Sequence, residues 1–598
     1  MHFDVAIIGG GPAGSTLGTL LRKYNPALKI TILEREVFPR DHVGESLLPH
    51  LMGILAEMDV WDKVEAADFP VKVGGRYRWG SSNDTWPLDF IPDSLLNGIT
   101  RPAKFVDARR MTAFQVDRSK YDKILLDHAA EAGCEVREGT SAVQIRHEGD
   151  RISGIELKDC GEVTARFYVD ASGASGLVRR TLEIPTESPT ALRNVAIWDY
   201  WQNAEWAEHI GVGGTRILVM SVGWGWLWFI PLGPTRTSIG LVTPAEFMKR
   251  SGKRPAELYM EAIAAEPTIS KLVREATSEN LLQTTRDWSF VASRLHGENW
   301  FLAGDAAGFA DPILSAGLTL AQAGARKIAY TILELDRGGV DAEWLLAEYD
   351  RAQSEQIRSH IRFADYWYSA NGHFDELKGY CSEIALEAGL DLEPEMAFRW
   401  LGTGGFFADS LNQPHVGMFT IPALKLHIQE MTGRHAPWLV ESYNLFELDL
   451  EGATPIDVGV YEDGRIERVS CLARGHNVLP DYRLFGAMRA ALEKEKELPF
   501  VLERFAFEAR ARGIGGPTIN YVSTAVQILE AMLGEGWVKG ALDPNERVLR
   551  IVLRRDAFTL GWYAEGVGLI SAMPNARGRI ELPWDEFVKL RGISAASS

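Results

Sequence analysis

The chain has 598 residues, 46% hydrophobic and 24% charged, with 57 Gly and 27 Pro, which excludes a disordered or collagenous chain and leaves room for a large composite core plus an appended domain. Its 63 Lys+Arg against 81 Asp+Glu give a net charge of -18, which opposes binding to nucleic acid or to an anionic membrane surface. Cys134, Cys160, Cys381 and Cys471 stand far apart with no CxxC pair, so neither a disulfide framework nor a metal site is expected, and a reducing, cytoplasmic setting is.

The start, Met1-His2-Phe3-Asp4-Val5, has no basic and long apolar leader, so no export signal is predicted. No run approaches the roughly 18 apolar residues that span a bilayer, so no membrane association is expected. Residues 3–8 form an apolar strand, Gly9-Gly10-Gly11-Pro12-Ala13-Gly14 breaks it, and an amphipathic helix follows to about Lys23. A second strand, Lys29 to Leu33, ends at Glu34-Arg35. Gly9, Gly11 and Gly14 thus stand in GxGxxG spacing inside a β-turn-α-β unit, with the acid Glu34 about 20 residues on. Such a turn lets a backbone approach a dinucleotide pyrophosphate at a helix N-terminus, while Glu34 accepts from ribose hydroxyls.

Two later segments bear on whether the dinucleotide is FAD or NAD. Val169-Asp170-Ala171-Ser172-Gly173 is a strand end with small residues, and Asn299 to Ala303 is a strand entering Gly304-Asp305. Asp305 is suited to accept from a ribityl chain, and the amides around Gly317 and Leu318, at a predicted helix start, suit a flavin pyrimidine edge or an anion. Together the three segments resemble the FAD-dependent monooxygenase superfamily over about residues 1–330. That resemblance implies an α/β fold: a doubly wound, Rossmann-like FAD-binding sheet interleaved with a mixed substrate sheet drawn from about 65–115 and 190–290. It also implies that Arg118 and the loop Gly44-Glu45-Ser46 lie by the flavin.

Trp226-Leu227-Trp228-Phe229-Ile230-Pro231 carries the WxWxIP pattern of flavin-dependent halogenases, which the chain resembles. Alternating Trp residues on a strand put both indoles on one face, as a wall beside the flavin. Phe69-Pro70-Val71-Lys72-Val73-Gly74-Gly75 resembles the halogenase segment with an essential lysine, here Lys72, whose apolar neighbours disfavour its charged form. The resemblance implies that FADH2, O2 and chloride or bromide yield hypohalous acid at the flavin, and that Lys72 directs it to an electron-rich ring by hydrogen bonding or as a transient haloamine. It further implies halide held near Ser315, Ala316 and Gly317, and a separate NAD(P)H-flavin reductase. The alternative is a flavin monooxygenase or geranylgeranyl-reductase-like enzyme of the same fold, which a halide requirement separates.

Free-tryptophan halogenases resemble Pro-Leu-Glu-Ser-Thr-Gly where this chain reads Pro312-Ile313-Leu314-Ser315-Ala316-Gly317. With Leu314 in place of the glutamate, the pattern is closer to halogenases of secondary metabolism that act on phenols, pyrroles or acyl-carrier-protein-bound substrates. Residues 341–371 read as a long helix ending in Phe363, Tyr366, Trp367 and Tyr368, which either line an aryl pocket or pack as core. Residues 1–370 are expected to form the halogenase core, and 371–598 a mainly helical, winged-helix-like lid or carrier-docking domain. Within it, a hairpin at 456–469 turns on Asp463-Gly464; helices near 481–495, 498–512 and 517–534 follow, then apolar strands near 547–570 and a frayed tail from Gly592 to Ser598. The helix ending at Gly534 has no Lys or Arg and carries Glu530, so no DNA binding is expected.

Overall fold

Strand His2–Ile8 is buried at every position from Val5 onward, the signature of a strand covered on both faces. It sits at the centre of five parallel strands in the order Glu135–Arg137, Ile30–Leu33, His2–Ile8, Glu162–Asp170 and Trp300–Leu302. An antiparallel hairpin, Ala142–Glu148 with Arg151–Leu157, extends from the start of Glu162–Asp170. Helix Pro12–Tyr24 packs against helices Arg118–Glu131 and Gly317–Arg337. The computed structural model describes residues 2–397 except 92, 160, 287, 288, 391 and 395; residues 415–416; 419–514 except 476; and 521–571 except 547, 555, 556 and 565–567.

The second sheet is mixed and runs Thr277–Ser278, Asn194–Gln202, Arg236–Pro244, Gly225–Pro231, Gly214–Val222, Val71–Arg78, Trp86–Asp89, from the segments the sequence pointed to. The one parallel pairing along this path, Val71–Arg78 with Gly214–Val222, contains a bulge: Lys72 opposes Thr215 but Gly74 opposes Arg216. The extra residue, Val73, flips the alternation, so Lys72 shares the sheet face of Thr215, Ile217 and Val219 rather than that of Arg216. Strand Gly225–Pro231 is buried at every position.

Helix Ala342–Ser369 starts where Asp341 accepts from the Trp344 amide (2.7 Å). Its last turn settles the choice between pocket and core. Trp79 packs 6.1 Å from Trp367, 5.7 Å from Tyr368 and 5.7 Å from Phe374, ring centre to ring centre, and all four are buried; these rings are core.

The chain divides into Met1–Leu390 with Tyr461–Glu467, and Asp391–Val460 with Arg468–Ser598. Against the expected boundary at 370, the first unit runs on to Leu390 because helix Lys378–Glu387 packs back on Ala342–Ser369. The second unit contains helices Ile421–Thr432, Arg483–Leu492, Leu498–Ala511 and Tyr521–Gly534. The hairpin Thr454–Glu462/Arg465–Arg474 turns on Asp463 and Gly464, both at positive φ, as an Asp-Gly turn requires. Strands Leu549–Arg554, Ala557–Ala564 and Gly568–Ser571 form an antiparallel meander. Glu530 is not a surface charge: it is fully buried, pairs with Lys425 (2.7 Å), and accepts from the amides of Leu439 (3.0 Å) and Val440 (2.9 Å). That helix is therefore an internal one. Residues 517–520 of the expected helix and the tail 592–598 lie outside the described residues.

Cys134, Cys381 and Cys471 are buried thiols, and Cys160 lies outside the described residues. Among the described residues no helix is long and apolar enough to cross a membrane.

Candidate active site

A cavity of about 1240 Å³ runs along the glycine turn, the loop 40–46, the turns at 303–305 and 312–318, and one face of the mixed sheet. At its dinucleotide end the glycines have separate jobs. A Cβ on Gly9, at φ +106, would lie 2.3 Å from Ala171 O, and one on Gly14 would lie 2.0 Å from Gly9 O; both positions are closed by backbone. Gly11 is open, its nearest neighbour being Arg40 Nη2 at 3.5 Å. The bare Gly11 thus leaves a cradle at the start of helix Pro12–Tyr24, where Gly11, Pro12 and Ala13 border the cavity and the helix dipole favours a diphosphate. Glu34 holds this turn from the neighbouring strand, accepting from the amides of Gly10 (2.7 Å) and Glu36 (2.9 Å). Its remaining lone pairs suit ribose hydroxyls. These features fit FAD.

Arg40 was missed in the sequence. Its guanidinium lies over the Phe38 ring (4.5 Å) and 3.3 Å from Asp122, facing the glycine cradle. Nothing in the run Phe38-Pro39-Arg40-Asp41 marks it out, because the loop's path depends on helix Arg118–Glu131. Arg35, in contrast, borders the cavity with its side chain 68% exposed, beside Glu36.

Arg118 is buried and clamps the loop at Val43 and Gly44. It donates to both Asp122 oxygens (2.6 and 2.9 Å) and to the carbonyls of Val43 (2.9 Å) and Gly44 (3.2 Å). Its charge also pulls on Asp305, whose carboxyl burial raises to about 6. Asp305 and Gly304 line the cavity beside Gly44, Glu45 and Ser46. Asp170 does not line it: its carboxylate accepts from Ser172 N (3.1 Å), Ser172 Oγ (2.6 Å) and Val178 N (2.7 Å), and so shapes the turn whose residues 171–175 do.

Glu45 is fully buried against Tyr200, whose hydroxyl donates to it (3.1 Å) while Arg236 lies 3.9 Å over the Tyr200 ring. Burial raises the Glu45 carboxyl from 4.5 to about 7, with the Tyr200 bond and the Arg118 charge pulling part way back. The unfolded chain loses this proton first, so the stability tied to Glu45 is intact below pH 4.5 and is lost as pH rises through about 7. Glu45→Gln is therefore expected to flatten the pH dependence by roughly 2–3 kcal/mol, read by urea unfolding of the FAD-free protein at about pH 5 and about pH 8.

Trp226 and Trp228 both face the cavity, their rings 6.0 Å apart. The Trp228 indole donates to Ser238 Oγ (3.1 Å) and lies flat across Gly240, where a Cβ would come within 2.1 Å of the ring. Lys72 is 2% exposed, donates to Leu47 O (3.1 Å), lies 5.5 Å from the Phe90 ring, and is lowered by burial alone from 10.5 to about 7. It shares the tryptophans' sheet face, although it is not in the cavity lining. Ser315, Gly317 and Leu318 border the cavity and Ala316 is buried. The Ser315 amide closes the turn onto Pro312 O (3.0 Å).

Residues 2–364 match the family model described as FAD binding domain. The chain is 33% identical to the tryptophan 2-halogenase of Chondromyces crocatus over 391 residues, 64% of this chain and 71% of that one. It is 30% identical to a 1H-pyrrole-2-carbonyl peptidyl-carrier-protein chlorinase of Pseudomonas fluorescens over 385 residues, 62% and 84% of the two chains. Among solved structures, the myxobacterial chondrochloren halogenase CndH is similar at 27% identity and TM-score 0.57, over 72% of this chain and 97% of that one. CmlS, described as a flavin-dependent halogenase, shares the fold at 24% identity and TM-score 0.69, over 93% and 98%. With this match over most of its length, and with the paired tryptophans and the buried lysine on one face of its mixed sheet, the chain belongs to the flavin-dependent halogenases, FAD-binding enzymes of the oxidoreductase class.

Proposed function

We propose that this enzyme halogenates a phenol, a pyrrole or a carrier-protein-bound aryl group rather than free tryptophan, working in the cytoplasm on FADH2 from a separate NAD(P)H-flavin reductase. When bound, reduced FAD with O2 supplies the oxidising power that converts chloride or bromide to hypohalous acid. The chain's own residues contain and deliver that acid. Trp226 and Trp228 keep the organic substrate away from the flavin, and Lys72 receives hypohalous acid and directs it to the ring. The carrying observation is the common sheet face of Lys72 and the two indoles, with the lysine desolvated to about 7, so that an uncharged amine is available near neutral pH. Halide is read at the amides of Ala316 and Gly317, at the start of helix Gly317–Arg337; Ser315, its amide spent on Pro312, adds only its side chain.

Leu314 supports the substrate class. Without a carboxylate at that position, ring activation falls to the substrate, and phenols and pyrroles activate themselves. Residues 371–598 are read as a lid or a carrier-docking face. The test supplies purified protein with chemically reduced FAD in air and bromide, and traps hypobromous acid with a small scavenger beside a no-enzyme control. Bromide-dependent trapping above that control is expected. NADPH oxidation without any halide requirement would instead make the protein a monooxygenase or reductase.

A further inference from the structure

We propose that Tyr368 and Asp311 are positioning residues: they form a directional hydrogen-bond relay that ties the Trp226 indole to the turn leading into the halide segment. Three elements distant in sequence meet in it. Trp226 Nε1 donates to Tyr368 Oη (2.8 Å), Tyr368 Oη lies 3.3 Å from Asp311 Oδ1, and that same oxygen accepts from the Ile313 amide (2.9 Å).

The direction is fixed by the groups themselves. An indole N–H only donates, so the tyrosine oxygen must accept from Trp226 and its own proton is left to go to Asp311, which as a carboxylate only accepts. Burial and the nearby Asp311 charge hold the Tyr368 phenol well above its usual range, so that proton stays in place. All three side chains are buried, where each bond weighs more than it would in water. The Tyr368 ring is braced edge-on by Trp79, their centres 5.7 Å apart.

The two wall tryptophans are thus held differently. Trp228 is secured within the sheet by Ser238 and Gly240. Trp226 is tied outside the sheet, through the end of helix Ala342–Ser369, to Asp311. Asp311 is also the cap of the short turn Pro312–Leu314, which ends at Ser315 in a left-handed conformation (φ 56) one residue before Ala316 and Gly317. A movement of the indole and a movement of this turn are consequently coupled, and halide affinity becomes sensitive to a tyrosine outside the cavity lining. This consequence rests on the halogenase reading; the relay itself does not.

The test uses FAD-loaded protein and the variants Tyr368→Phe, Asp311→Ala, Asp311→Asn and the double variant Tyr368→Phe/Asp311→Ala. Bromide is titrated against the visible spectrum of bound oxidised FAD, which gives a halide Kd without turnover, and FAD affinity is measured separately. Tyr368→Phe and Asp311→Ala are each expected to weaken bromide binding by about tenfold, with FAD affinity within about threefold of the parent protein. The double variant should be no worse than either single one, because one relay is broken once. Asp311→Asn keeps an oxygen that accepts from both Tyr368 and Ile313, and should remain within about threefold of the parent.

Additive losses, an unaffected Tyr368→Phe, or an Asp311→Asn as impaired as Asp311→Ala would each overturn the relay. Parent protein whose flavin spectrum ignores bromide would count against the halogenase reading instead. The relay is then judged on the flavin spectrum alone, where Tyr368→Phe and Asp311→Ala should shift it alike and Asp311→Asn should leave it; three unrelated spectra would refute it.

Discussion

Lys72→Met is expected to abolish halogenation of the organic acceptor, by at least about 10²–10⁴-fold, while leaving FAD binding and bromide-dependent oxidant formation in place and making the protein more stable. Among the described residues no carboxylate pairs with Lys72; its contacts are the Leu47 carbonyl and the Phe90 ring. Burial is the only cause that lowers it from 10.5 to about 7. The unfolded chain therefore binds this proton more tightly than the folded one. Stability rises with pH between about 7 and 10.5 and is lost as pH falls through that window. At pH 7 the buried amine costs on the order of 4 kcal/mol, a cost Met does not carry. Urea unfolding at about pH 7 and about pH 10 should show the variant ahead at the lower pH and the gap narrowing at the higher. Lys72→Arg should halogenate no better than Met, since a guanidinium stays charged and is no nucleophile at neutral pH. Full acceptor turnover by Lys72→Met would move delivery to another group.

What the sequence made legible follows from how local each signal is. Gly9, Gly11, Gly14 and Glu34 lie within one β-turn-α-β unit, so spacing alone fixes their relation, and the structure brings them to one turn. The alternation of Trp226 and Trp228 likewise puts two rings on one face. Signals that depend on a partner strand were hidden. Simple alternation groups Lys72 with Gly74 and Arg76, and only the bulge opposite Thr215 turns Lys72 to the tryptophan face. Gly240 reads as an ordinary strand glycine, yet it is what lets the Trp228 ring lie flat. Arg40, and Tyr368 with Asp311, are brought in by tertiary packing that no window of sequence encodes. Glu530 is a further case: a charge on an apolar helix, it is the internal partner of Lys425, a pairing that the helix's own sequence does not reveal.

The glycine turn offers the sharpest separation of folding from binding, because neighbouring glycines are required for different reasons. A methyl on Gly14 would sit 2.0 Å from the Gly9 carbonyl oxygen and 3.1 Å from the Ile7 side chain, and the Gly9 backbone cannot give way as a flexible side chain could. Gly14→Ala is expected to cost about 3 kcal/mol or more of stability, with loss of FAD as a consequence of the damaged turn. A methyl on Gly11 meets only the Arg40 side chain at 3.5 Å, and the residue's φ of -66 suits any amino acid. Gly11→Ala should therefore fold within about 1 kcal/mol of the parent protein. The added carbon nevertheless stands in the cradle where a diphosphate must approach the helix amides, and crowding of about 1–3 kcal/mol there weakens FAD binding by about 10–100-fold. Calorimetric melting of FAD-free protein and FAD titration by fluorescence quenching read the two effects separately. A Gly11→Ala variant that melts and binds FAD like the parent would remove the diphosphate from this turn, whereas one that melts normally and binds poorly fixes the cofactor's position through a residue that makes no contribution to the fold.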